Sequence, residues 1–379
     1  MSEPAGIPLL DDHAHPFPLA TEPLDPAELS LSVGAGAGAR RRAAAPARLM
    51  VEALLVELSR LLGCPPEDAL AAREDAARDW PAWVRRLMAD AAIGGMLLDG
   101  GPSLLGPAEL EPLGGLAGIR TWSLLRLEAV VDPLLEQGAD GPSIEAALRD
   151  AVAAGVAGGA AGLKTVLAYR TGLAVDPDVR PDDAYRAAEA VDRAQPLRRQ
   201  AKPLRDYLLR RTLAQCADLG VPIQFHTGFG DSEIRLADAD PLLLDDLLRT
   251  PEGAAAQVVL IHSSYPWHEH AAYLAFVREN VHAEISLVNL FSPATTADRM
   301  LRLLDLAPAD RLLFGTDGHG APETHWFAAV TLRRAWDEVA RRLTGTVRPG
   351  WLAATAERVF HANAEDLYAL GAVQPGRAG

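Results

Sequence analysis

Two histidines near the amino terminus have the spacing of a metal site. His13 and His15 follow a short apolar segment, Ile7 to Leu10, within the sequence DDHAHP. In a β-strand, side chains two positions apart point to the same face, so the two imidazoles can aim at one point. Imidazole binds zinc, iron, nickel and copper well. The pair therefore predicts a transition-metal site, provided that further ligands lie at the same end of the fold.

Residues of the right kinds follow other apolar segments. His226 and His262 each end one such segment, and Asp317 comes directly after another. The carboxyl ends of parallel strands meet on one face of a barrel, where catalytic residues collect. Four histidines and an aspartate are thus expected at one place. This set can hold a divalent metal and leave an open position for water.

The elements that must position these residues are eight short apolar segments, most of them separated by helical patterns. The predicted strands are Pro8 to Asp12, Gly94 to Asp99, Thr121 to Leu127, Gly162 to Tyr169, Pro222 to His226, Gln257 to His262, His282 to Ser286 and Arg311 to Thr316. Near-continuous apolar runs are typical of parallel strands covered on both sides. Eight strand–helix units predict an α/β fold, a (β/α)8 TIM barrel. A doubly wound sheet is the alternative, but no Gly-rich dinucleotide turn follows the first strand.

Two connections are longer than ordinary barrel loops. Residues 20–92 are predicted to form a helical cap inserted after strand 1, with Trp80 and Trp83 packed over or beside the barrel and a mobile Gly/Ala loop at 34–38. Thr171 to Leu219 is predicted as a second insert, after strand 4. Both inserts leave the catalytic face of the barrel. No linker divides the chain, so residues 1–379 are expected to form one barrel domain.

Composition excludes several classes of partner. The chain has 379 residues, of which 49% are hydrophobic, and a formal net charge of −15. An acidic surface argues against nucleic acid and anionic membranes, and no apolar run is long enough to cross a bilayer. The amino terminus lacks the basic region of a signal peptide, and Cys64 and Cys216 make no disulfide framework. We expect a cytoplasmic protein that binds a small-molecule substrate, with a homodimer as a possible assembly.

The motifs together resemble the amidohydrolase superfamily, in particular the amidohydrolase-related (amidohydrolase 2) group that includes the amidohydrolase domain of FluG and of nodulin/glutamine-synthetase fusions. The matching stretches are DDHAHP, ELSRLLGCPPEDALAAREDAAR, LLDGG, GLKTVLAYRTGL, VPIQFHTGFGD, VLIHSSYPWHEHAAYLA and LLFGTDGHGAPETHWFAA. They cover nearly the whole chain in the family's order and spacing.

The resemblance implies one divalent metal ion, zinc or manganese, with His13, His15 and His226 as ligands. It implies that Asp317 is a ligand or the general base, and that His262 is a further ligand or polarises the substrate. The implied activity is hydrolysis of an amide or γ-glutamyl-type C–N bond in a small carboxylate-bearing substrate through a metal-activated water. The alternatives are a metal-dependent non-oxidative decarboxylase of the same superfamily and a non-catalytic signalling or scaffold barrel.

Lys164 is the ambiguous residue of the predicted site. In binuclear members of the superfamily, a carboxylated lysine on the fourth strand bridges two metals. Here Lys164 lies early in its strand, level with Gln224 and about one layer below His226. This position favours a mononuclear site in which Lys164 contacts Asp317, a metal-bound water or the substrate by hydrogen bonds.

The predicted substrate contacts lie nearer the mouth. The planar fork of Arg170 suits a substrate carboxylate, although pairing with an acid of the cap is the alternative. Glu128, after the third strand, Asp231, after the fifth, and His319, after the eighth, are further pocket candidates. Gln224 completes the predicted substrate-binding set.

Overall fold

Eight parallel strands, hydrogen-bonded in chain order, form the wall of a barrel in the computed structural model, which describes residues 6–26, 29 and 39–371. The strands are β1 (Leu9–Ala14), β2 (Ile93–Asp99), β3 (Arg120–Arg126), β4 (Gly162–Thr165), β5 (Ile223–His226), β6 (Val258–Ile261), β7 (Val281–Ile285) and β8 (Leu312–Phe314). The predicted (β/α)8 barrel is confirmed. Its strands differ from the predicted segments mainly at their ends, and β4 is the most shortened because Leu167–Tyr169 turns into a short 3₁₀ helix. The predicted mobile loop at 34–38 lies outside the described residues.

Helices surround the strands. They are α1 (Ala39–Ala44), α2 (Leu49–Leu62), α3 (Ala69–Ala76), α4 (Trp80–Asp90), α5 (Pro107–Ala117), α6 (Glu128–Gln137), α7 (Gly141–Ala157), α8 (Pro181–Glu189), α9 (Lys202–Leu219), α10 (Asp245–Leu248), α11 (Pro251–Ala255), α12 (His268–Val277), α13 (Val288–Phe291), α14 (Thr296–Leu306), α15 (Pro322–Leu343), α16 (Trp351–Glu357) and α17 (Asn363–Leu367). Among the helices of the described ranges, none combines the length and the apolar character needed to cross a bilayer.

The barrel closes where the last strand returns to the first. The backbone N–H of Asp317 donates to the carbonyl of His13 at 2.8 Å, and that of His15 donates to the carbonyl of Gly318 at 2.9 Å. The side chain of Asp11 adds a further contact between the two strands, because its carboxylate accepts a hydrogen bond from the backbone N–H of Thr316 at 2.8 Å. The closing hydrogen bonds thus lie between the two segments that carry the predicted ligands, so barrel closure sets the separation of those ligands.

The inside of the barrel is apolar at its amino end and polar toward its carboxyl end. The apolar part is a cluster that includes Leu10, Leu97, Leu124, Val259 and Leu313, closed from below by Tyr368. Burying one such side chain stabilises the fold by roughly 1.5–3 kcal/mol. On β1, β2 and β3 the next inward residues are Asp12, Asp99 and Arg126, whereas on β6 the apolar Ile261 follows Val259.

In the described part of the segment between β1 and β2, residues 39–90 are largely helical and pack beside the barrel on α15. Glu323, at the start of α15 and fully buried, accepts hydrogen bonds from Nε of Arg73 at 2.6 Å and from Nε1 of Trp83 at 2.7 Å. Trp80 and Trp83 are both buried. A single carboxylate therefore joins α3 and α4 of this insert to the helix that follows β8.

Candidate metal centre

A cavity of about 310 Å³ opens at the carboxyl ends of the strands. It is lined by His13, His15, Arg126, Lys164, Val166, Tyr169, Arg170, His226, Asp231, Glu233, His262, Leu287 and Asp317. The four histidines and the aspartate singled out in the sequence all belong to this lining. The volume lies at the lower end of the range of small-molecule sites.

The end of β1 aims two imidazoles at one carboxylate. Nε2 of His13 and Nε2 of His15 each lie 3.3 Å from Oδ1 of Asp317. The pairing of β1 with β2 changes register between Asp11 and Ala14, which marks a bulge at the strand end. Bulges beside active sites re-aim side chains. The local irregularity of β1 thus accompanies the convergence of the two rings on Asp317.

Asp317 itself is held in an uncommon backbone conformation. Its φ of 51° lies in the left-handed region, which residues other than glycine seldom adopt. Its buried Oδ1 makes no hydrogen bond of ordinary geometry. Burial alone would raise the pKa of this carboxyl, but His262, His13 and His15 together hold it well below its usual range. The result is an ionised carboxylate with one uncommitted oxygen.

His262 joins the same group, whereas His226 stands beside it. The ligand atoms of His13, His262 and Asp317 all lie within 4.8 Å of one another. The His226 ring contacts the His262 ring at a centroid distance of 4.4 Å, but Nε2 of His226 lies 3.1 Å from the carbonyl of Phe229. To bind a metal through Nε2, His226 would have to leave that carbonyl.

The donor set fits a divalent metal. Imidazole nitrogen and carboxylate oxygen are the ligands of catalytic zinc sites, and carboxylates also suit manganese. The observation that supports a cation here is Oδ1 of Asp317, a buried charged atom that faces two ring nitrogens without a proper hydrogen bond. A second group within 4.8 Å, formed by His13, His15 and Asp99, overlaps the first at His13.

Lys164 reaches the centre from below. Its strand position pairs with Gln224, as the sequence predicted. The long side chain nevertheless places Nζ at 3.2 Å from Nε2 of His13. Burial lowers the pKa of Lys164 to about 8, although the charge of Asp99 opposes this effect. The backbone of Lys164 thus lies one layer below the candidate ligands, but its ammonium group contacts one of them.

Two residues predicted to contact substrate point elsewhere. Gln224 is fully buried inside the barrel, where its amide donates to the carbonyl of Asp12 at 2.7 Å and to the hydroxyl of Tyr368 at 2.8 Å. Glu128 begins α6 and accepts a hydrogen bond from Thr165 at 2.7 Å, beside a separate small cavity. Neither residue therefore contacts the cavity as predicted. Gln224 lies one layer below the cavity inside the barrel, and the first turn of α6 directs the Glu128 side chain toward Thr165 on β4.

His319 also lies outside the cavity lining. Its Nδ1 is 2.9 Å from the backbone carbonyl of Asp317, and its ring stacks on Phe291 with a centroid distance of 6.1 Å. Proximity in sequence to Asp317 therefore does not bring this imidazole to the candidate metal centre.

Arg170 and Asp231 do line the cavity. Nε of Arg170 donates to Asp132 at 2.9 Å, and the other oxygen of Asp132 lies 2.7 Å from a terminal nitrogen of Arg205. Asp132 belongs to α6, so the partner of Arg170 is not an acid of the cap. The two terminal amino groups of Arg170 make no hydrogen bond within the described chain. Two arginines share one aspartate, so Asp132 offsets only part of the positive charge of Arg170 and Arg205.

Three lining or adjoining residues were missed by sequence reasoning. Arg126, the last residue of β3, makes a two-point ion pair with Asp99, the last residue of β2, at 3.0 and 2.5 Å. Tyr169 accepts a hydrogen bond from the backbone N–H of Asp231 at 3.0 Å. For Arg126 and Asp99 the available signal was their position as the polar ends of apolar strands, the same signal that identified His226.

Gly230 makes room for the Tyr169 hydroxyl. A Cβ at position 230 would lie 2.0 Å from that hydroxyl and 3.2 Å from Nε2 of His226. Only glycine therefore lets Tyr169 and His226 flank the same small space.

Comparisons with known proteins agree with this architecture. The model of the family described as amidohydrolase matches residues 11–370. Protein fluG of Emericella nidulans is 36% identical over 233 residues, which cover 57% of this chain and 26% of fluG. The chain thus spans about a quarter of the length of that relative.

Solved structures share the fold over nearly their whole length. A crystal structure from Lactobacillus casei ATCC 334, described as a "putative metal-dependent hydrolase", has a TM-score of 0.86 and 25% identity, covering 97% of this chain and 96% of that one. Uronate isomerase from Thermotoga maritima has a TM-score of 0.70 at 12% identity, covering 96% and 95% of the two chains, a likeness that concerns the fold alone. The chain belongs to the amidohydrolase family.

Proposed function

We propose that the enzyme hydrolyses a C–N bond, of amide or γ-glutamyl type, in a small substrate that carries a carboxylate. The observation that carries the proposal is the uncommitted Oδ1 of Asp317, 3.3 Å from Nε2 of both His13 and His15, in a cavity that is also lined by Arg170. This arrangement combines a candidate cation site with a place for an anionic group.

The proposed cofactor is one divalent metal, zinc or manganese. His13, His15 and Asp317 would hold it, joined by His226 once its ring has turned away from Phe229. When bound, such an ion lowers the pKa of a coordinated water and polarises a substrate carbonyl. His262 stands close enough to serve as a further ligand or to face the substrate.

Arg170 is the residue proposed to bind the substrate carboxylate. Its Nε is committed to Asp132, so the guanidinium is held in place while its terminal amino groups remain available. A planar fork of this kind binds carboxylates through two parallel hydrogen bonds. Asp231, which also lines the cavity, is an acceptor suited to an amine group of the same substrate.

Hydrolysis requires that protons move between named atoms. The water oxygen bonds to the carbonyl carbon, the C–N bond breaks, and a water proton must reach the leaving nitrogen. Asp317 is ionised, and because a carboxylate has two oxygens, one could hold the metal while the other carries that proton. The hydroxyl of Tyr169 accepts one hydrogen bond and retains its own proton for donation to a substrate oxygen.

The test is product analysis in isotopically labelled water. Metal-replete enzyme is incubated in H₂¹⁸O with a panel of γ-glutamyl and N-acyl compounds, and the products are identified by mass spectrometry. The expected result is a free amine or ammonia and a new carboxylate that contains one ¹⁸O. Carbon dioxide release without ¹⁸O incorporation would replace the proposal with the decarboxylase alternative, and absence of turnover across the panel, with metal bound, would favour the scaffold alternative.

A further inference from the structure

We infer that Ser286 and Glu284 set the tautomer of His262, so that Nδ1 carries the ring proton and Nε2 offers its lone pair to the cavity. The function that this tautomer would serve rests on the proposed metal site. The NMR test of the tautomer itself requires neither metal nor turnover. Ser286 and Glu284 are positioning residues in this scheme, because both act through His262.

Three short contacts link these residues. Nδ1 of His262 lies 2.8 Å from the hydroxyl of Ser286, and that hydroxyl lies 2.8 Å from Oε2 of Glu284. The backbone N–H of His262 donates to the same Oε2 at 2.8 Å. Ser286 and Glu284 are fully buried, and His262 nearly so, which keeps water from substituting for any of these partners.

The direction of the hydrogen bonds follows from the donor and acceptor inventory. A backbone N–H can only donate, so Oε2 of Glu284 is an acceptor. The hydroxyl of Ser286 donates its single proton to that carboxylate oxygen and therefore accepts from His262. A ring nitrogen that donates must carry the proton, which places it on Nδ1 and leaves Nε2 unprotonated.

The reverse direction is less favourable. For Ser286 to donate to His262, a proton would have to sit on Oε2, the oxygen that already accepts the amide of His262. Oε1 of Glu284 makes no hydrogen bond, so the two donors converge on a single oxygen. A proton on Glu284 would sit on Oε1, so Oε2 accepts from both donors in either protonation state of the carboxyl group.

Glu284 also supports the backbone at this point. His262, Ser263 and Ser264 have φ values of 68°, 55° and 47°, three consecutive left-handed residues that are not glycine. Such strain persists only where surrounding contacts determine it. Glu284 supplies one of these contacts to the His262 amide and, through Ser286, a second to the ring. Backbone and imidazole are therefore held by one carboxylate.

Two other histidines provide internal references. Nδ1 of His15 lies 2.8 Å from the carbonyl of Asp99, so its proton is also on Nδ1. His226 has the opposite arrangement, because its Nε2 contacts the carbonyl of Phe229. Carbonyl oxygens accept only. In the metal-free protein, His262 should thus carry its proton on Nδ1, as His15 does, and His226 should have the opposite tautomer.

The test is NMR of the metal-free protein labelled with ¹⁵N in histidine, using long-range proton–nitrogen correlations that distinguish the two tautomers. We expect an Nδ1–H signal for His262 in the wild type and a shift toward Nε2–H in Ser286→Ala. Ser286→Thr, which keeps the hydroxyl, should restore the wild-type pattern, and Ser292→Ala should leave it unchanged. Circular dichroism checks that each variant is folded.

A second readout is zinc affinity, measured by competition with a chromogenic chelator. Where His262 is a ligand, loss of this outer partner in Ser286→Ala should weaken zinc binding about 10- to 100-fold. Glu284→Gln is an independent variant that keeps the side-chain shape. An Nε2–H tautomer for His262 in the wild type, or an unchanged tautomer in folded Ser286→Ala, would overturn the inference. A failure of hydrolysis would leave the tautomer result intact.

Discussion

Nζ of Lys164 lies 3.2 Å from Nε2 of His13, the nitrogen that also faces Asp317. A protonated ammonium this close to a ligand atom repels a divalent cation, so binding of a metal must be accompanied by movement, neutralisation or modification of Lys164. Modification by carbon dioxide is the one that would convert this lysine into a ligand for two metals.

We predict a metal content near one ion per chain. The short distance between Lys164 and His13 leaves Lys164 among the ligands' neighbours, where a free amine can contact Asp317 or substrate instead of bridging metals. Elemental analysis of metal-replete protein measures the stoichiometry. A value near two would support a carboxylated Lys164, and a value near zero would remove the metal site from the proposal.

We predict that Asp317→Asn folds normally and loses turnover by about 100- to 10,000-fold, the range of a general acid–base group. Asparagine adopts the left-handed backbone conformation at least as readily as aspartate, so a φ of 51° is no obstacle to folding. The amide cannot accept a proton at neutral pH. Steady-state kinetics on variant protein of known metal content gives the answer, and near-normal rates would exclude Asp317 from the mechanism.

Arg170→Met should lower kcat/KM about 10- to 100-fold for a carboxylate substrate, because a hydrogen bond to a charged group contributes about 1.5–3 kcal/mol. The loss should be small for a neutral ester or amide analogue of the same substrate.

Asp132→Asn is the matched control for Arg170. It keeps the guanidinium and removes the charge that holds Nε. We expect a smaller loss, again confined to the carboxylate substrate. Equal losses on charged and neutral substrates in Arg170→Met would show that Arg170 supports the barrel and not the ligand.

Glu323→Ala should reduce the free energy of unfolding by about 3 kcal/mol or more, because it leaves the buried Arg73 guanidinium without its principal partner. It also removes the acceptor of the Trp83 indole N–H. Urea denaturation measures the change. Asp75→Asn, which alters an exposed pair with Arg78, is the control and should have little effect. A small effect of Glu323→Ala would mean that the insert is held by apolar packing alone.

The unfolding free energy should fall on acidification partly because of His282, at the amino end of the barrel. Burial, together with the charge of Arg311, lowers the pKa of His282 to about 4 from 6.5. The unfolded chain therefore binds more protons than the folded one between pH 6.5 and 4.

The contribution of His282 is complete above pH 6.5, and up to about 3 kcal/mol is lost as the pH falls through that window. His282→Leu should flatten the dependence of urea stability on pH between 7 and 5. An unchanged slope would assign the acid sensitivity to other groups.

The positions of the strands along the chain could be predicted from the sequence because each strand is a short apolar run. In a parallel barrel, all carboxyl ends lie on one face, so His226, His262 and Asp317 could be assigned to a common site without any knowledge of packing. The His13 and His15 pair was predictable for the same reason, since side-chain alternation is a local property of a strand. The mouth position of Arg170 also follows from its place after β4.

Only the tertiary structure determines how far each side chain extends and which group it contacts. Lys164 pairs in register with Gln224, yet its four-carbon stem carries Nζ to His13 while the shorter Gln224 side chain stays below. Glu128 follows β3 as closely as a site residue would, but the first turn of α6 directs it to Thr165.

The orientation of two imidazoles depends on contacts far apart in the chain. Nδ1 of His15 contacts the carbonyl of Asp99, 84 residues away, and Nδ1 of His262 contacts Ser286, 24 residues away. Strand position determines where a side chain begins, and it is encoded locally. The rotamer and hydrogen-bond partner of that side chain are selected by which groups the closed barrel places within about 3 Å, and local sequence carries no record of those neighbours.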